Sequence, residues 1–216
     1  MTFYASTMVS EEAPATVSFN ANPPQSHSIW TLDSNQVVQE PSQNEYYLLL
    51  SGCIRINYVN QKGESTFIRL VLPGDYLGVE RFTESHLSIE YITITPCSIQ
   101  REFAVNSELP ADVLKTVLIQ SYKRCKDVVA YLRCGSAQDR LTHLLMMMVS
   151  PEHQQKNNTT ERACLMPSIK DMANIVDVAP ESISRTIASL KKDNILANRK
   201  RFTAKLNLSL IEPMVA

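Results

Sequence analysis

The stretch from Ser168 to Leu190 reads SIKDMANIVDVAPESISRTIASL, and its pattern decides the fold of the C-terminal third. Ser168, followed three residues later by Asp171, resembles a helix-capping pair and predicts a helix that begins there. Apolar residues then recur at helical spacing until Asp177, which tolerates the left-handed backbone of a tight turn. Pro180 suits the first turn of a second helix. Two short helices joined in this way predict a helix-turn-helix.

The second of these helices has a polar face near its N-terminal end. An apolar stripe at positions 183, 187 and 190 can pack on the first helix. Arginine can donate two hydrogen bonds to guanine, and glutamate can accept one from cytosine. The residues opposite the stripe are therefore predicted to read DNA bases: Pro180, Glu181, Ser184 and Arg185. Glu181 and Arg185 are four residues apart, so an ordinary surface ion pair is the alternative interpretation.

Basic residues collect around the same helix. Residues 136–216 carry 11 Lys and Arg against 8 Asp and Glu, a net charge of +3, whereas residues 1–135 carry −4. A basic C-terminal third on an acidic body is typical of a DNA-binding domain attached to a second domain. The residues predicted to contact DNA phosphates are Ser168, Ser182, Lys191, Lys192, Arg199, Lys200 and Arg201.

The motif Glu181-Ser-Ile-Ser-Arg185 resembles the recognition-helix signature of the cAMP receptor protein/FNR family of bacterial transcription regulators. The form Glu-x-x-Ser-Arg is that of the FNR branch, because the other branch has arginine where this chain has Pro180. The resemblance implies a winged helix-turn-helix, and the alternating residues at 204–210 predict its wing strand. Two positions depart from the family pattern: Asp177 replaces the usual turn glycine, and Thr186 replaces an aliphatic residue.

The segment from residue 29 to 103 has the pattern of a β-structure. Strands are predicted at 46–52, 53–59, 66–72 and 89–95, separated by Ser-Gly, Gly and Pro-Gly turns. This order resembles the cyclic-nucleotide-binding β-roll of the same family. The expected fold class is α+β, with a flexible N-terminal arm at 1–28, the roll at 29–108, a dimerisation helix and hinge at 109–135, and the DNA-binding domain at 136–216.

A long helix is predicted from Leu109-Pro110 to about Cys134, and Gly135 then breaks it. Its apolar stripe is broad enough to pack on the roll and on a second copy. In the family this helix is the dimer interface, although an ordinary core helix would show the same periodicity. The residues expected at the interface are Leu114, Leu118, Cys125, Val128 and Leu132.

The ligand residues of the family are only partly present. Alignment on the turn after Pro73 gives a candidate effector pocket formed by Gly78, Val79, Glu80, Leu87 and Ser88. Val79 stands near the ribose-binding glutamate of the family, and Leu87 replaces the arginine that neutralises the cyclic phosphate. Without that arginine a buried phosphate would lack a counter-charge, so no cyclic nucleotide is expected. Arg81, from a shifted loop, is the alternative source of positive charge.

Other cofactors are not expected either. No cysteine lies in residues 1–45, where the oxygen-sensing FNR members hold an iron–sulfur cluster, and His86 is the only histidine in the roll segment, which argues against haem. The five scattered cysteines form no metal-binding motif, and no secretory signal or membrane-spanning run accompanies them. A reducing, cytoplasmic location is therefore expected. A redox role for Cys125 or Cys134 stays open.

These patterns predict a homodimeric transcription regulator, not an enzyme, because the four histidines are scattered and fit no metal or nucleophile triad. The expected partners are double-stranded DNA, a second copy and, as the resemblance implies, RNA polymerase, with no membrane. A TTGA-type inverted repeat is expected, because Pro180 cannot donate hydrogen bonds as arginine would. The alternatives are a regulator that responds to cyclic nucleotide or redox state, and a sensor whose helix-turn-helix contacts protein.

Overall fold

The computed structural model describes residues 16–17, 28–42, 45–82, 88–103, 111–149 and 160–215. Within these residues nine strands come first, and they confirm the four strands predicted from the alternating pattern to within about two residues. Their bounds are β1 Thr16–Val17, β2 Ile29–Leu32, β3 Val37–Val38, β4 Glu45–Ser51, β5 Ile54–Val59, β6 Ser65–Val71, β7 Tyr76–Leu77, β8 Ser88–Thr93 and β9 Cys97–Phe103.

The strands form two sheets that make the roll. One has the order β1-β3-β8-β5-β6 and the other the order β2-β9-β4-β7. Apolar side chains from both sheets meet in the roll interior, where Leu49, Ile56, Tyr91 and Ile99 are fully buried. Gly52 joins β4 to β5 at φ 89°, and a side chain there would meet the carbonyl oxygen of Pro96 at 2.2 Å. Only glycine therefore fits this turn.

Part of the predicted N-terminal arm is described. Thr16–Val17 pair in parallel with Val37–Val38 at the edge of a sheet. The other arm residues up to residue 27 lie outside the described residues.

A long helix follows the roll. Helix α1 spans Ala111–Asp127 and continues into a π-helical turn at Val128–Leu132. The predicted start at Leu109-Pro110 lies outside the described residues. Helix α2, Ala137–Met147, begins at Ser136, whose hydroxyl and backbone N–H form a reciprocal capping box with Asp139.

In its described residues, the C-terminal part combines a small sheet with four helices that include α2. A strand, β10 (Glu161–Met166), precedes the helix pair α3 (Ile169–Val176) and α4 (Pro180–Lys192). Two strands, β11 (Leu196–Lys200) and β12 (Phe202–Asn207), follow the pair, and the sheet order is β10-β12-β11. The predicted wing strand at 204–210 is corrected, because β12 ends at Asn207 and a helix follows in which Ile211 is fully buried. This last helix, α5, spans Leu208–Val215.

One hydrophobic core joins the roll to the C-terminal part. Cys53, Leu70, Leu72 and Ile94 of the roll lie in the same buried cluster as the apolar faces of α2, α3 and α4. The α+β fold expected from the sequence is confirmed. Within the described residues, every helix is too short or too polar to cross a membrane.

Candidate nucleic-acid interface

The turn between α3 and α4 has the geometry that the sequence predicts. Ser168 is the N-cap of α3, and its hydroxyl oxygen accepts a hydrogen bond from the backbone N–H of Asp171 at 3.1 Å. Asp177 ends α3 in the left-handed conformation, with φ 56° and ψ 58°. Pro180 then opens α4 in its first turn. The helix-turn-helix prediction is therefore confirmed, with aspartate in the place of the turn glycine.

Helix α4 buries one face and exposes the other. Ile183, Ile187 and Leu190 are buried against the rest of the domain. All four residues predicted to read bases are exposed: Pro180, Glu181, Ser184 and Arg185. Within the described residues, the alternative ion pair between Glu181 and Arg185 does not form. Both charged side chains therefore point their polar groups toward solvent.

Thr186 occupies a place where an aliphatic residue was expected. Its hydroxyl donates a hydrogen bond of 2.9 Å to the carbonyl oxygen of Ser182 in the preceding turn. This bond satisfies the polar group inside the helix, so threonine is accommodated without an unpaired hydroxyl.

The predicted phosphate-contacting residues lie at the start of α3, along α4 and on the hairpin that follows it. Lys191 and Lys192 are exposed at the end of α4. Arg199, Lys200 and Arg201 lie on the hairpin of β11 and β12, which is the wing. The guanidinium of Arg201 lies 5.0 Å from the ring centre of Phe202. Of the two serines, Ser168 is exposed and Ser182 is half-buried, and the Ser168 hydroxyl also donates to Asp171.

The predicted dimer interface requires a correction. Val128 and Leu132 are 4 % and 0 % exposed and pack in the core of their own chain, so they do not contribute to an exposed face. Leu114 and Cys125 are half-buried, and Leu118 is exposed. The exposed apolar face of the long helix consists of Leu118, Ile119, Tyr122 and Val129. Helical periodicity showed a broad stripe of apolar residues, but it could not show which of them pack against their own chain and which are exposed.

The candidate effector pocket is largely filled by the chain itself. Gly78 and Val79 are buried, and Val79 packs against Tyr46 and Val117. The carboxylate of Glu80 accepts hydrogen bonds from Arg69 Nε and from the Tyr91 hydroxyl, each at 3.0 Å.

The remaining pocket residues add little to this site. Ser88 is exposed at the start of β8, and Leu87 lies outside the described residues.

The hydroxyl of Tyr91 stays protonated and donates to Glu80, because burial, and then the charge of Glu80, raise the pKa of Tyr91.

Sequence reasoning missed three charged residues of this region. The side chain of Arg69 is 2 % exposed. The sequence pattern that could have revealed this buried charge is a lone arginine within the apolar end of a strand. Asp75 is 3 % exposed and accepts hydrogen bonds from Gln120 and from Arg124 Nε of α1, the latter at 3.0 Å. These contacts connect the roll directly to the long helix.

Arg81, the alternative counter-charge for a phosphate, already has partners. Its Nη1 donates to the carbonyl oxygens of Ser42 and Glu45 at 2.7 and 3.0 Å, and its guanidinium lies 4.1 Å from the ring centre of Tyr46. Among the described residues, no group of histidine, cysteine and acidic side chains could hold a metal ion.

Known proteins share this architecture. The family model described as the Crp-like helix-turn-helix domain matches residues 139–207. The transcriptional regulator LdrP of Thermus thermophilus is 23 % identical over 168 residues, covering 77 % of this chain and 85 % of LdrP.

Two solved structures have the same fold. FixK2 from Bradyrhizobium japonicum is 17 % identical, with a TM-score of 0.64 over 89 % of this chain and 98 % of that one. A transcriptional regulator of the CRP family from Thermus thermophilus is 19 % identical, with a TM-score of 0.63 over 86 % and 96 %. Residues 139–207 thus match a Crp-like helix-turn-helix domain, and the chain shares the fold of these two transcription regulators.

Proposed function

We propose that the protein is a homodimeric regulator that reads a TTGA-type inverted repeat through α4 and needs no cyclic nucleotide to do so. The observation that carries the proposal is the exposed polar face at the start of α4. Glu181 and Arg185 project from it without an ion pair between them, among the residues that the structure describes. Arginine can then pair with guanine, and glutamate with the cytosine opposite it.

The basic residues near this face support binding to duplex DNA. Lys191 and Lys192 at the end of α4 and Lys200 and Arg201 on the wing are all exposed. Such residues neutralise phosphates, which contributes affinity and orientation but little sequence information. Proline at position 180 has no side-chain donor, so specificity falls to Glu181, Ser184 and Arg185.

The exposed apolar face of the long helix supports a dimer. Ile119, Tyr122 and Val129 are 59 %, 73 % and 66 % exposed, and they recur at spacings of three and seven residues. Two such faces can pack in parallel as a coiled coil. A two-fold dimer would present two copies of α4 to successive major-groove segments, as an inverted repeat requires.

The interior of the roll supports independence from cyclic nucleotides. Glu80 is the acid nearest the ribose-binding position of the family, and Arg69 and Tyr91 already bind its carboxylate. Asp75 and Arg124 link the roll to α1 through the chain's own charges. A nucleotide that used Glu80 would have to displace these contacts, and Arg81 already uses Nη1 to donate to two carbonyl oxygens.

A regulator that responds to a nucleotide remains the second candidate. A similar structure, CLP of Xanthomonas campestris, is described as responsive to c-di-GMP, with 19 % identity and a TM-score of 0.54 over 83 % of this chain. A cavity of about 240 Å³ also lies between the roll and α1, lined by residues that include Tyr76, Val117 and Gln120. Its position could admit a small effector at the junction that Asp75 occupies.

Equilibrium binding to a labelled TTGA inverted-repeat duplex, with and without cyclic AMP and c-di-GMP, tests the proposal. We expect binding that weakens steeply with salt, prefers the repeat to a scrambled duplex, and does not change with either nucleotide. Binding that appears only with a nucleotide would support the second candidate. Equal affinity for the repeat and the scrambled duplex would contradict the proposed recognition.

A further inference from the structure

Helix α3, which supports the recognition helix, contacts the roll near its N-terminal end. Arg55 on β5 places Nη1 3.4 Å from Asp171 Oδ1 in the first turn of α3. The two side chains are only 17 % and 20 % exposed, so solvent screens this ion pair less than a surface pair. The contact joins two parts of the chain that are more than a hundred residues apart in sequence.

The C-terminal end of α3 is held by a second arginine. Arg133, just before the break at Gly135, donates a hydrogen bond to the carbonyl oxygen of Ile175. Its guanidinium also lies 5.5 Å from the ring centre of Phe67 on β6. A cation at a helix C-terminus interacts favourably with the last carbonyl groups. Arg133 therefore connects the end of α3 to the roll and to the long helix.

The cap of α2 can be compared with the cap of α3. The comparison shows that an aspartate can cap a helix in this chain without contacting the roll. Helices α2 and α3 both begin with the pattern Ser-x-x-Asp. In α2, Asp139 serves its own cap, accepting hydrogen bonds from the Ser136 N–H and hydroxyl through Oδ2. In α3, Asp171 accepts from the Ser168 hydroxyl through Oδ2, and its Oδ1 faces Arg55 of the roll. Asp171 thus has a role between domains in addition to its role in the cap.

We infer that Arg55 and Arg133 are positioning residues for DNA recognition, which set the direction of α4 relative to the roll and the long helix. Because α3 packs on α4 and is held near both ends, α4 cannot rotate without breaking one of these contacts. In a dimer the direction of α4 determines the separation of the two recognition helices. The two arginines thereby select the spacing of the half-sites, an inference that rests on the proposed dimeric DNA-binding function.

The test compares Arg55→Gln with the wild-type protein on duplexes with one half-site and on inverted repeats whose spacing is changed by one or two base pairs. We expect wild type to prefer one spacing. The variant should bind that repeat about tenfold more weakly, lose the preference among spacings and keep its affinity for a single half-site. A role in stability alone would not change the spacing preference.

Arg101→Gln is the matched control. Arg101 is 16 % exposed, close to the 17 % of Arg55, and it forms an ion pair with Glu45 inside the roll. If Arg55→Gln folds poorly, Asp171→Asn can be compared with Asp139→Asn instead. Each of these substitutions changes a helix cap, but Asp171 also forms an ion pair with Arg55 of the roll. A spacing profile of Arg55→Gln and Asp171→Asn equal to wild type would overturn the inference. Failure of wild type to bind any inverted repeat would instead overturn the proposed function.

Discussion

Arg69 and Glu80 form an ion pair inside the roll, with Nε of the arginine 3.0 Å from Oε1 of the glutamate. Their side chains are only 2 % and 9 % exposed. A buried charge without a partner is strongly unfavourable, so each of these residues depends on the other. The carboxylate of Glu80 is therefore held by groups of the chain itself, Arg69 and the Tyr91 hydroxyl.

Removing one member of this pair should destabilise the protein. For Glu80→Gln we expect a loss of about 3–5 kcal/mol in the free energy of unfolding, because the charge of Arg69 would remain buried. Urea denaturation followed by circular dichroism measures the loss. The control is Glu161→Gln, which breaks a pair with Lys205 that is about half exposed and should cost less than about 1 kcal/mol. Equal costs for the two variants would contradict the structural role of Glu80.

Arg185 should determine base preference. We expect Arg185→Ala to weaken binding to the inverted repeat by about 1–3 kcal/mol and to relax the preference at one G·C pair in each half-site. Competition binding with duplexes substituted at each position measures both effects. Lys191→Ala is the control. Loss of a phosphate contact should weaken binding to all sequences alike and reduce the salt dependence by about one charge. An unchanged base preference in Arg185→Ala would show that another residue reads this pair.

The exposed apolar face of the long helix should mediate self-association. Ile119→Glu would place two charges in the proposed dimer interface, so we expect a monomer at micromolar concentration in sedimentation experiments. Ile29→Glu is a matched control, since Ile29 on β2 is also 59 % exposed but lies in the roll. If both variants sediment as wild type does, the dimer forms through another surface.

The cysteines should differ strongly in reactivity. Burial raises the pKa of both Cys97 and Cys164 to about 12, so neither thiol ionises appreciably near neutral pH. Cys134 is exposed, whereas Cys53 is fully buried. Because the thiolate is the reactive form, alkylation of the folded protein near pH 8 should modify Cys134 first and leave Cys53, Cys97 and Cys164 unmodified until the chain unfolds. Mass spectrometry of the peptides measures the order, and early labelling of Cys164 would contradict the buried site.

Local sequence was sufficient for the helix-turn-helix. The Ser168 cap, the left-handed Asp177 and the N-terminal Pro180 each act within a few residues, so their residue types alone predict the turn and both helices. The same reasoning predicted the exposed face of α4, because the buried stripe at 183, 187 and 190 leaves only one side to solvent. The alternation in the roll likewise predicted most strands, whereas the strand expected at 204–210 is confirmed only as far as Asn207, because α5 begins at Leu208.

The amino-acid sequence by itself determined the α+β class and the position of the helix that begins at Pro180, because these depend on local patterns and residue types. Only the tertiary structure decided which half of the long helix faces its own core, and that Arg69 neutralises Glu80. It alone also decided that Arg55 meets Asp171. Each of these contacts joins residues distant in the chain, and the periodicity of one segment carries no information about the segment that packs against it.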